Sequence, residues 1–80
     1  MDFGNAIRKL KQGKAVAREG WNGKRMFLTL IENYQIGFHP GILGRPLLPW
    51  IGMLTADGSF VPWLASQTDL LAEDWVEVSR

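Results

Sequence analysis

The sequence predicts an α+β fold: a small antiparallel β-sheet with an N-terminal helix and a short helix before the last strand. Three observations predict it. Helical signals occur at only two places, over residues 3–12 and just after Trp63. The rest of the regular pattern consists of short β-prone runs set off by turn residues. Most of the links between those runs are too short for the crossovers that parallel strands require, so the strands run antiparallel and the helices pack on the sheet.

Phe3, Ala6, Ile7 and Leu10 recur at helical spacing, with Asp2 as N-cap and Gly13 as stop. The outer face of this helix carries Arg8, Lys9, Lys11 and Gln12. Ala15 to Arg18 and Met26 to Ile31 read as strands, and the Asn22-Gly23 pair between them tolerates positive φ and marks a tight reversal. Residues 32–49 hold Gly37, Gly41, Gly44, Pro40, Pro46 and Pro49, which predicts a structured loop. A loop of that length in so small a domain is functional or pinned by a partner. Trp50 to Thr55 is the third strand, Asp57-Gly58 a hairpin turn, and Phe60 to Trp63 the fourth strand. Pro62 lacks a backbone donor and so suits an edge. Ser66-Gln67-Thr68-Asp69 has the form of a capping box opening a helix over 67–73, and Trp75 to Val78 closes the chain as a strand.

Eighty residues predict one domain, spanning 1–80. Such a chain buries only about 60% of the surface its unfolded form exposes, so a partner would help it. It has no cysteine, and its one histidine, His39, cannot build a metal site alone. No signal peptide opens it, and no run approaches the roughly 20 apolar residues of a membrane span, so a soluble cytoplasmic protein is expected. A net charge of +1 argues against a dedicated DNA binder. The charges are segregated. Lys9, Lys11, Lys14, Arg18, Lys24 and Arg25 crowd the first third; Asp69, Glu73, Asp74 and Glu77 crowd the end. Between Asn33 and Leu64 only Arg45 and Asp57 carry charge, which predicts that part of this apolar middle is covered by a second copy.

Catalysis finds little support. Ser59 falls in a turn, Ser66 at a helix cap and Ser79 at the end of the chain, and no carboxylate is near His39 in sequence. Glu73 and Asp74, adjacent at a helix end, are expected to point apart toward water. Gly20-Trp21-Asn22-Gly23-Lys24 lacks phosphate-loop spacing. A non-enzymatic protein with no cofactor is the expectation.

Four tryptophans are the stronger signal. Small domains place their largest side chains in the core, and Trp50 and Trp75, in strands, fit that role. Trp21 stands in a turn beside Asn22, and Trp63 at a strand-to-helix junction before Ser66, Gln67, Thr68 and Asp69. A purine is held by stacking on such rings, with amides reading its edges. Its phosphates seek Arg18, Lys24, Arg25, Arg45 or the amides at a helix start. This pattern supports a nucleotide-like ligand without specifying one. The alternative is a structural or protein-interaction module with no small-molecule ligand, in which both rings are core or interface.

Three stretches carry a resemblance. They are Phe3-Gly4 with Ala6 and Leu10 leading to Gly13-Lys14; Ala17 through Lys24; and Thr55 through Gly58 continuing through Val61 to Trp75. Together they resemble the Thoeris anti-defence type 2 family of phages and prophages. The resemblance implies a sponge that binds a cyclic ADP-ribose-type immune signal (glycocyclic ADP-ribose) without cleaving it, and in some relatives cyclic oligonucleotides of a second defence system. It also implies a homotetramer with ligand pockets between subunits. By matching positions, Trp21, Asn22 and the Trp63 to Asp69 region would line the pocket; Arg18 and Arg45 are assigned to it on chemistry alone.

Overall fold

The computed structural model describes residues 1–21, 25–32 and 48–79. The Asn22-Gly23 reversal and nearly all of the 32–49 loop, including His39 and Arg45, lie outside the described residues. Helix α1 (Phe3–Lys11) opens on Asp2, whose side chain accepts from the Asn5 amide at 2.8 Å. It closes through a double C-terminal lock: Gly13 N–H donates to Leu10 O and Lys14 N–H to Lys9 O, each at 3.0 Å. Gly13 makes that lock possible by taking φ 84°, where a side chain is strained.

Strands β1 (Ala15–Arg18), β2 (Phe27–Ile31), β3 (Trp50–Leu54), β4 (Phe60–Pro62) and β5 (Trp75–Val78) form, among the described residues, one sheet in the order β4-β3-β2-β1-β5. Every pairing is antiparallel. The short helix α2 (Gln67–Leu71) lies on the segment that carries the chain from one edge, β4, to the other, β5. Pro62 sits on an edge strand, as its missing donor requires. The β3–β4 turn closes with Gly58 N–H to Thr55 O at 3.0 Å and Gly58 at φ 91°.

Differences from the sequence expectation are local. Glu19–Trp21 forms a 3₁₀ turn, and α2 ends at Leu71 because Ala72 turns extended, with ψ 151°. The β1–β5 pairing explains the segregated charges: it brings the basic start of the chain against the acidic end, and Lys9 Nζ meets Glu77 Oε1 at 3.2 Å.

Alternation along the strands divides the sheet into two faces. Val16 and Leu28, paired across β1 and β2, point toward α1 and pack with Ala6, Leu10 and Trp75 as the buried core. Trp75 is 0% exposed, as expected of a core ring. Phe3, Trp21 and Trp63 all pack against its indole, with ring centroids 5.2, 5.5 and 6.0 Å away. The other face is different. Trp50, read as core from the sequence, lies there half-buried beside Phe60, at a centroid distance of 6.2 Å, with Gly52 flush beneath the pair.

Candidate functional site

That second face is apolar too. Ala17 pairs with Val76 and Phe27 with Leu54, all on the side away from α1. With Val78 they floor a cleft of about 660 Å³, whose lining also includes Arg18, Glu19, Trp21, Arg25 and Met26. Small-molecule sites typically occupy about 300–1,000 Å³, with apolar walls and a few polar groups. The cleft matches both in size and in chemistry.

Trp21 reaches this cleft through the 3₁₀ turn, and Asp74 holds the turn in place. Glu19 N–H donates to Asp74 O at 3.0 Å, and Gly20 N–H to Asp74 Oδ2 at 3.1 Å. A Cβ on Gly20 would stand 3.3 Å from that carboxylate oxygen, so glycine allows the close approach. The Trp21 ring meets Trp75 edge-on at 79°, remains half-buried and lines the cleft.

Arg18 is tied down by two carboxylates. Its Nε donates to Asp74 Oδ1 and its Nη1 to Asp69 Oδ1, both at 2.8 Å. The bond to Asp74, and then the bond to Asp69, push the guanidinium pKa further up. Burial pushes the Asp69 carboxyl up, but Arg18 and Ser66 outweigh it and hold the group below its ordinary range. The Arg18 bond holds Asp74 low as well, against a smaller effect of burial and with help from the Gly20 amide.

The other residues singled out from the sequence separate into two groups. Trp21 and Arg18 line the cleft, and Asp69 joins them through its ion pair with Arg18. Trp63 lies on the α1 side, half-buried, with its ring 5.8 Å from Phe3. Ser66 and Asp69 complete the capping box: Asp69 N–H donates to Ser66 Oγ at 3.0 Å, and Ser66 N–H to Asp69 Oδ2 at 3.4 Å. Gln67 and Thr68 are exposed beside it. Asn22 and Arg45 lie outside the described residues. Trp21 and Trp63 thus share Trp75 as a neighbour, and Trp63 is not among the residues that line the cleft.

Sequence reasoning did not single out Asp74 as a holder of Arg18, nor Phe27, Leu54, Val76 and Val78 as a floor. The second set had a signal: β1, β2 and β5 carry apolar residues in both phases of the alternation, which a sheet covered on one side does not need. Among the described residues no cluster of three His, Asp or Glu could hold a metal ion, and no helix is long and apolar enough to cross a membrane.

Fold and cleft together define a class: a small α+β domain with its sheet covered by helices on one face and hollowed, beside a tryptophan, on the other. Residues 1–78 match the family model of the Thoeris anti-defense 2-like domain, and the chain belongs to that family. A curated relative, the protein Thoeris anti-defense 2 of Bacillus phage SP01, is 45% identical over 85 aligned positions, which cover 99% of this chain and 96% of that protein.

Proposed function

We propose that this chain is a phage anti-defence sponge that binds a cyclic ADP-ribose-type immune signal and withholds it from its effector without cleaving it. The observation that carries this reading is Trp21, half-buried and lining an apolar cleft large enough for a nucleotide. A flat base stacks on the indole, and the sugar and phosphates extend over the cleft toward its charged rim. The relative's name, Thoeris anti-defense 2, supports the anti-defence part of this reading.

The binding unit is an oligomer, a homotetramer on the family resemblance, with each pocket built between subunits. Exposed Leu64, Leu70 and Leu71 flank the Trp63–Asp69 segment, the kind of surface a second copy covers. Such a contact brings Trp63, Ser66, Gln67 and Thr68 of one subunit toward the cleft of another. There Trp21 stacks on the ligand, and Arg18, paired with Asp69 of its own subunit, steadies the turn that carries Trp21. Asn22 and Arg45 complete the proposed set of contacts.

The test is recovery. The protein is incubated with glycocyclic ADP-ribose, separated from free ligand, and heated. Release of intact ligand in stoichiometric amount is expected. Trp21→Ala should weaken binding by about 1–3 kcal/mol in calorimetry. Accumulation of a cleaved product, or undiminished affinity in folded W21A, would count against the proposal.

A further inference from the structure

Two arginines line the cleft, and they stand in opposite electrostatic situations. Arg18 is committed to Asp69 and Asp74, which cancel its charge toward a ligand. Arg25 is exposed, and among the described residues no carboxylate pairs with it. Its backbone is also unusual. Arg25 takes φ 59°, and among the described residues it is the one non-glycine with positive φ. An L-residue with a long side chain enters that left-handed region at a cost that glycine does not bear. Strain held at a cleft rim is a pointer to function when the side chain it presents has a use there.

We infer that Arg25 is the anion-recognising residue of the cleft: its guanidinium takes the diphosphate of a ligand whose base stacks on Trp21, a role that rests on the sequestration reading. Guanidinium suits the task because it offers paired N–H donors to phosphate oxygens at full charge. Arg18, in this arrangement, is a positioning residue that holds the Asp74-anchored turn carrying Trp21. Glu19 lines the same cleft as a carboxylate and repels phosphate, so the anion is drawn to Arg25 and the ligand lies in one orientation. The cleft therefore selects ligands with an anionic group at one end and a flat ring at the other.

Calorimetry with glycocyclic ADP-ribose at low and high salt tests this on the parent protein, Arg25→Gly and Arg25→Lys. R25G should lose about tenfold or more in affinity, the size of a charge-assisted hydrogen bond, and most of the parent's salt dependence. R25K should recover part of the affinity and keep the salt dependence. Because glycine occupies φ 59° freely, R25G should melt no lower than the parent. A parent that binds with R25G equally tight, or equally salt-sensitive, overturns the assignment to Arg25 and leaves sequestration standing. So does an R25G protein that loses its fold, since Arg25 is then structural. A parent that does not bind the ligand at all overturns both.

Discussion

Arg18 leaves β1 at the point where the 3₁₀ turn begins, and two carboxylates from the far end of the chain converge on it at 2.8 Å each. The arrangement has a pH signature. Both carboxyls are held below their ordinary range in the folded chain. A carboxyl with a lowered folded value stabilises the fold above its unfolded pKa of about 3.9, and that stabilisation is lost as pH falls through the folded value. The melting temperature should therefore hold steady from neutral pH to about 5 and drop steeply below about 4. Arg18→Met removes the common partner. It should cost about 1–3 kcal/mol in urea titrations at neutral pH and flatten the acid drop. An R18M protein with the parent's full acid transition would show that the sensitivity lies elsewhere. This clamp was not legible in the sequence. Arg18 looked like a free cation and Asp74 like half of a solvated pair, because nothing local places β5 beside β1. Once the strands pair, Arg18 stands opposite Trp75, and Asp74 follows from its position one residue before. Trp21 was singled out for a local reason, its place in a turn among glycines, and the structure puts it half-buried against Trp75 in the wall of the cleft.

At the scale of elements, agreement is closest where a side chain completes the backbone's unpaired groups. Asp2, Gly13 and the Ser66–Asp69 box all sit where the sequence placed them, since capping depends only on residues a few positions apart. Strand limits also hold to within a residue. What failed was the end of α2, read to Glu73 and found at Leu71. Its last turn is cut short by a tertiary bond: the Trp75 indole N–H donates to Asp69 O at 3.0 Å, and the chain straightens to reach β5. Trp50 was misplaced for a related reason. Register alone decides which face a strand residue occupies, and the pairing of Ile31 with Trp50 puts the ring on the open side with Phe60. The caps can be weighed directly. Ser66→Ala should lower stability by about 1 kcal/mol, having lost the acceptor for the Asp69 amide. Gly13→Ala meets no atom within 4 Å, yet should cost about 1–2 kcal/mol because its φ of 84° is closed to alanine without strain. Equal stability of G13A and parent in thermal melts would mean that α1 can end in some other way.

At the scale of the whole molecule, the unequal treatment of two tryptophans becomes an argument about assembly. Trp21 looks into the cleft of its own subunit, whereas Trp63 packs on the α1 side with Phe3 and Trp75. If, as proposed, the two rings hold one ligand from different subunits, exposed Leu64, Leu70 and Leu71 around Trp63 give the contact its apolar area. Light scattering should then give a mass that is a multiple of 9.0 kDa. Mixing makes the arrangement decisive. Trp21→Ala and Trp63→Ala proteins should each bind weakly when pure. Unfolded together in equal amounts and refolded, they assemble at random, and a pocket is intact when its cleft-bearing subunit keeps Trp21 and its neighbour keeps Trp63. Each condition is met half the time, so about a quarter of the pockets should regain tight binding of glycocyclic ADP-ribose, countable as stoichiometry in calorimetry. A site contained within one subunit regains none, because every subunit in the mixture carries one of the two lesions. Zero recovered sites in a mixture shown by mass to be mixed would therefore return the ligand to a single chain and leave Trp63 as part of the core around Trp75.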